Sequence, residues 1–184
     1  MATSTVLVVE DQERLAELYE TWLLGKYDVR TAHTVAEAEE LIDEAVDIAL
    51  LDRRLPDGSG DDVLSTIRER GIDARVAMVT AVDPDFDILE MGFDDYVVKP
   101  VSETDLHDIV EGLLERDEYS KDVQRYYALA SKRGTLESEK SADELDNSEE
   151  YDQLLKELAD LQGDLHEQAG ELSDDDYEAL FREL

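Results

Sequence analysis

Residues 48–60 read IALLDRRLPDGSG. Ile48–Leu51 is a continuous apolar run of strand length, without the polar alternation of a half-exposed strand. Such a run fits a strand buried on both faces, as in a parallel sheet covered by helices. It stops at Asp52. Pro56-Asp57-Gly58 then reads as a turn, and beyond it Val63, Leu64 and Ile67 recur at helical spacing. A strand, a loop and a helix are legible in one short stretch.

The same unit repeats on both sides. Further strand signals lie at Val6–Val9, Val29–Thr31, Val76–Val79 and Tyr96–Val98. Between them run two more helical stripes: Leu15, Leu18, Tyr19, Trp22 and Leu23, then Val35, Ala38, Leu41, Ile42 and Ala45. Thr34-x-x-Glu37 reads as a capping box opening the second helix, and Ser102-x-x-Asp105 opens the last one similarly. A β-α alternation repeated five times implies right-handed crossovers. The expected fold class is therefore α/β, a doubly wound five-stranded parallel sheet. Such sheets bind ligands beyond the carboxyl ends of their strands.

The alternation ends near Arg116. Tyr119, Val123, Tyr126 and Ala130 follow at helical spacing, and residues 134–150 (GTLESEKSADELDNSEE) are polar. Tyr151, Leu154, Leu158, Leu161 and Leu165 form a heptad-like seam, shorter than the three to four heptads that mark a coiled coil. The last segment, SDDDYEALFREL, has an N-cap candidate in Ser173. We expect an α/β domain over residues 1–116 and a helical hairpin over 117–184. Trp22 is expected in the core, and the tail tyrosines in the packing of the hairpin.

The 184 residues carry 50 Asp+Glu against 17 Lys+Arg, a formal charge of −33, yet 42% are apolar, enough for a packed core. Cysteine is absent, which excludes disulfides, thiolate metal sites and cysteine nucleophiles. His33, His107 and His166 show no ligand spacing. No apolar stretch approaches a membrane span and no secretory signal is visible, so a soluble, cytoplasmic protein with no membrane partner is expected. The charge argues against nucleic acid. It is, however, spread evenly: residues 1–120 carry 31 acids and 10 bases, residues 121–184 carry 19 and 7. Even acid suggests adaptation to molar salt, where the Debye length is only ~3 Å. In such salt the charge argument against DNA weakens.

Four features coincide at strand ends. Glu10-Asp11 ends the first strand, Asp52 the third, Thr80 the fourth, and Lys99-Pro100 follows the fifth. Singly each has an ordinary reading: a cap, first-turn acids answering a helix dipole, a surface lysine. Together they would meet on one edge of the sheet. Three clustered carboxylates repel, and a hard divalent cation with oxygen ligands, such as Mg²⁺, resolves the repulsion. A metal there permits phosphoryl chemistry. Asp52 is a reasonable nucleophile, because carboxylates form acyl phosphates. Lys99 supplies a point charge and Thr80 a neutral donor.

At this point residues 4–116 resemble a response-regulator receiver domain. The motifs VLVVED, LLDRRLPDGSG, MVTA and DDYVVKP stand in the family's order. The resemblance implies a flavodoxin-like fold and a set of roles. Asp52 would be the phospho-acceptor, and Glu10 and Asp11 the acidic pair that positions Mg²⁺. The backbone carbonyl of Arg54 would complete the protein ligands. Thr80 and Lys99 would grip the phosphoryl group, Tyr96 would be the aromatic switch, and Lys99-Pro100 would be cis. The 19 positions from Thr80 to Lys99 are fewer than is usual in the family, and Asp83-Pro84-Asp85 interrupts them. A short or distorted fourth helix, one to two turns near Ile88–Met91, is therefore expected. Residues 117–184 resemble the HalX domain of haloarchaeal receivers, through YYALASKRGTLESEKSADELDNSEEY and YEALFREL.

The implied function is a two-component response regulator. A sensor histidine kinase would phosphorylate Asp52, and the helical domain would carry the signal, in transcription regulation or through a homodimer formed by the C-terminal helices or the receiver face. No independent enzymatic turnover is expected. A phosphohydrolase of the aspartyl-phosphate type needs a second Asp two residues after the nucleophile, where Arg54 stands. The alternative is an adaptor that uses the receiver fold without phosphorylation.

Overall fold

The computed structural model describes residues 3–117 and 121–169. Tyr119 and the terminal segment with Ser173 lie outside the described residues, as does the side chain of His166. Five parallel strands form one sheet: β1 (Thr5–Val9), β2 (Asp28–Ala32), β3 (Ile48–Leu51), β6 (Arg75–Thr80) and β7 (Asp95–Val98), in the order β2-β1-β3-β6-β7. Each covers its expected segment to within a residue at either end. The two-residue strands β4 (Arg54–Leu55) and β5 (Gly58–Ser59) pair antiparallel around the Pro56-Asp57 turn. Local apolar pattern gave no sign of them.

The central strands β1 and β3 are buried along their whole length, whereas edge strand β2 is mostly half-buried. Alternate side chains feed two cores. On one face Val6, Val8, Ile48, Leu50, Ala77 and Val79 pack on α1 (Glu13–Leu23) and α4 (Glu103–Asp117). On the other, Leu7, Val9, Ala49, Leu51, Val76 and Met78 meet α2 (Val35–Leu41) and α3 (Gly60–Glu69). The stripe in α1 is narrower than expected: Leu18 is 41% exposed, and Trp22 packs only half-buried at the edge of its core. Helix α2 is shorter than its stripe. It ends at Leu41, which leaves Ala45 exposed and Val46 buried in its place.

The caps explain where helices start. Thr34 Oγ1 accepts from Glu37 N–H at 3.0 Å, but the Glu37 carboxylate accepts from His33 N–H at 2.7 Å, one residue before a reciprocal capping box would have it. Asp57, from the turn after β3, accepts from the N–H groups of Val35 and Ala36. Ser102 and Asp105 do form the reciprocal box.

Between β6 and β7 the chain makes only a 3₁₀ turn, Phe86–Glu90, N-capped by Asp85. This is the expected shortened helix, beginning two residues before Ile88 and ending one before Met91. It is too short to cover the sheet there. The C-terminal helices α5 (Lys121–Glu139), α6 (Ala142–Asp146) and α7 (Glu149–Ala169) complete the layer. Leu129, Leu136, Tyr151, Leu154 and Leu158 join the same continuous core as Met78, Ile88, Phe93 and Tyr96. The heptad-like seam is the face that packs; only Leu161 in it stays half-buried. The polar bend is narrower than 134–150, because α5 runs to Glu139 and α6 occupies part of the rest.

Polar contacts pin the seam. Ser131 Oγ donates to Asp95 Oδ1 at 2.6 Å, and Lys140 pairs with Asp85 at 2.9 Å. Lys132 is 5% exposed; its Nζ donates to the carbonyls of Leu89, at 3.2 Å, and Met91, and lies 4.9 Å from the centre of the Phe93 ring. Burial pulls its ammonium down to about 8 from 10.5. The unfolded chain therefore holds this proton to higher pH than the folded one, and stability should rise as pH climbs from about 8 toward 10.5. Up to pH ~9, before the tyrosines titrate, denaturant melts should gain about 1 kcal/mol, and Lys132→Met should abolish the gain. A parent whose stability is flat or falls over that window contradicts the assignment.

Candidate functional site

Register brings the carboxyl ends together. Val9 pairs with Leu51, Leu51 with Met78, and Thr80 with Val98. Glu10, Asp52, Thr80 and Lys99 therefore leave adjacent strands at one edge. The backbone continues the ladder past the strands: Asp52 N–H donates to Val9 O at 2.9 Å, and Lys99 N–H to Thr80 O at 2.9 Å. Lys99-Pro100 is cis, in line with the resemblance.

Asp52 is 6% exposed and fully engaged. Its Oδ1 accepts from Thr80 Oγ1 at 2.9 Å and from Arg54 N–H at 2.9 Å; its Oδ2 accepts from Lys99 Nζ. The same ammonium donates to Glu10 Oε2, and Glu10 is 1% exposed. Burial pushes the Glu10 carboxyl up, against the pull of Lys99. Burial pulls the Lys99 ammonium down, but its bonds to Asp52 and Glu10 prevail and hold it above its ordinary value. Asp11 is exposed, and carboxylate oxygens of Glu10, Asp11 and Asp52 lie within 4.8 Å of one another. An all-oxygen donor set with one exposed member suits Mg²⁺, which keeps several of its waters.

Tyr96 is 5% exposed, turned into the core, with its hydroxyl donating to Val82 O at 2.8 Å. Burial raises its phenol pKa. Val82 N–H in turn donates to Thr80 Oγ1 at 3.2 Å. A chain of contacts thus runs from Asp52 through Thr80 and Val82 to Tyr96. Every site residue named from the sequence converges on this edge. Arg54 does so through its N–H.

Two participants were not legible. Arg53 pairs with Asp61 at 3.0 Å and with Asp87 at 2.7 Å, and also reaches the Tyr96 hydroxyl, which ties α3 to the 3₁₀ turn beside the site. His33 Nδ1 lies 2.9 Å from Glu10 O. Both contacts depend on docking between distant segments, and no local pattern marks them.

Comparison with known proteins agrees with this geometry. Residues 6–111 match the response regulator receiver domain, and residues 115–181 match the HalX domain. A Haloferax volcanii protein provisionally named a transcriptional regulator is 47% identical over 169 residues, which is 91% of this chain and 29% of that protein. The Escherichia coli K12 transcriptional regulatory protein CpxR is 32% identical over 123 residues, covering 65% of this chain and 53% of CpxR. The chain thus spans about a third to a half of these relatives' length. The Thermotoga maritima response regulator TrrA, solved in complex with Mg²⁺-BeF, superposes with a TM-score of 0.53 at 29% identity over 60% of this chain and 98% of TrrA. No described helix is long and apolar enough to cross a membrane. The chain belongs to the response-regulator receiver family, with a HalX domain following the receiver.

Proposed function

We propose that this protein is a phosphorylation-gated response regulator whose receiver spans residues 1–116 and whose output domain spans 117–184. A sensor histidine kinase is its phosphoryl donor. One observation carries the reading: Lys99 and Thr80 both converge on Asp52, beside an acidic triad whose oxygens lie within 4.8 Å of one another.

In the proposed reaction an Asp52 oxygen attacks phosphorus, the P–N bond of the kinase phosphohistidine breaks, and the freed imidazole nitrogen takes up a proton. Mg²⁺, held by Glu10, Asp11, Asp52 and the Arg54 carbonyl, would neutralise charge on the phosphoryl oxygens. Lys99, already paired with Asp52, would move its charge onto a phosphoryl oxygen, and Thr80 would donate its hydroxyl to another. Tyr96, whose hydroxyl already donates to Val82 O, stands next to the 3₁₀ turn on which the helical domain rests. Population shift at that turn is the proposed route of the signal to the output helices, in transcription regulation.

The test is intact-mass measurement after incubation with acetyl phosphate at high salt. One added phosphoryl group per chain, labile to hydroxylamine and not formed when Mg²⁺ is chelated before the donor is added, is the expected result. An unmodified chain, or modification indifferent to chelation, overturns the reading.

A further inference from the structure

Cations are scarce in this chain, 17 against 50 acids. Five of them, Arg68, Arg75, Lys121, Arg125 and Lys132, nevertheless line a single groove of about 730 Å³. Three acids share it: Asp73, Asp94 and Glu157. The rest of the chain has 17 − 5 = 12 bases against 50 − 3 = 47 acids. The groove reverses the sign that prevails elsewhere.

It lies at the amino-terminal edge of the sheet, the opposite end from Asp52, since Arg75 opens β6 and Asp94 precedes β7. One wall belongs to the receiver and the other to α5 and α7. The arginines in the receiver wall are held in place. Arg68 donates to Gly92 O at 2.8 and 3.0 Å and to Ala74 O at 2.7 Å, and Asp94 bridges it to Arg75. Lys132 closes the back. This bracing accounts for three of the cations as structural. It does not call for Lys121 and Arg125, which stand exposed four residues apart, on one face of α5. Arg125 reaches Glu157 of α7 across the mouth. Ile72, Leu89 and Leu129 supply apolar wall. Size, a few convergent charges and apolar lining match a small-molecule site.

We propose that this groove binds a small phosphate-bearing anion, its phosphates at Lys121 and Arg125. A ligand there touches both receiver and helical domain, and would clamp them together. The inference does not depend on phosphorylation of Asp52.

The test is titration calorimetry on the full chain without Mg²⁺, with inorganic tripolyphosphate and, separately, ATP, at moderate and molar potassium chloride. Saturable binding that weakens with salt is expected. Equal affinity for the two assigns the site to inorganic phosphate, and tighter ATP assigns it to a nucleotide using the apolar wall. The exposed double variant Lys121→Glu, Arg125→Glu should bind roughly 100-fold more weakly, about tenfold per charge reversed. Lys26→Glu, on the other face of the sheet, and Asp52→Asn should bind as the parent does. No saturable binding by the parent, an equal loss in Lys26→Glu, or a loss in Asp52→Asn overturns the proposal.

Discussion

An Asp52→Asn chain is expected to accept phosphoryl groups from acetyl phosphate at least about 10³-fold more slowly than the parent, the scale on which losing a nucleophile acts. The substitution is nearly isosteric. The Asn carbonyl can still accept from Thr80 and Arg54, so the strand end keeps its shape. Two things change. The side chain no longer carries a nucleophilic anion, and the face that accepted from Lys99 now presents an amide donor. Lys99 is left with Glu10 alone, and the candidate metal site loses one of three carboxylates. Because the change relieves repulsion among clustered acids while removing one ion pair, thermal stability should move by no more than about 1 kcal/mol in either direction. Time-resolved intact-mass spectra and a melting curve on the same sample check both halves. Labelling at the parental rate would remove Asp52 from the acceptor role.

Gly60→Ala is expected to damage stability and labelling together. A Cβ at residue 60 would stand 2.4 Å from the Asp52 carbonyl oxygen and 3.0 Å from its carbonyl carbon. Both are backbone atoms of the strand end, so neither can rotate away. Relief requires α3 to move off β3, and Asp52 moves with it. Gly60 also donates its N–H to Arg53 O at 3.2 Å, so the shift would disturb the residue that bridges α3 to the 3₁₀ turn. We expect a cost of roughly 2–4 kcal/mol, the range of a backbone overlap with no flexible partner. For a chain of this length that lowers Tm by about 4–16 °C. Gly112→Ala and Gly163→Ala, in α4 and α7 with nothing near the new methyl, should be neutral or stabilising by up to about 1 kcal/mol. Differential scanning calorimetry on the three variants separates the close approach from a general intolerance of alanine.

Strands β1, β3 and β6 were readable because burial on both faces leaves long apolar runs that need no partner to be recognised, and the half-buried edge strands β2 and β7 by shorter β-rich runs that continue the alternation with helices. Once they are ordered in a doubly wound sheet, the residues after Val9, Leu51, Val79 and Val98 must share an edge. The convergence of Glu10, Asp52, Thr80 and Lys99 followed from local pattern plus one topological rule. The interruption at Asp83-Pro84-Asp85 likewise announced a stunted helix before β7. Less was legible where one element depends on the docking of another. The end of α2 at Leu41 is such a case, and so is the burial of Val46 in place of Ala45.

The sequence by itself determined the sheet, the edge where its carboxylates gather, and the helical character of residues 121–169. Only the tertiary structure decided that α5 and α7 fill the space left by the short 3₁₀ turn. It also decided that Lys132 caps the carbonyls of that turn, and that a basic groove opens at the seam in a chain of charge −33. The reason is physical. A periodic apolar stripe states that a helix has something to bury, but dispersion and hydrophobic burial are non-directional, and they do not say against what. The partner is chosen by which exposed apolar surface the rest of the fold leaves uncovered, and that surface exists only once the sheet and its other helices are in place.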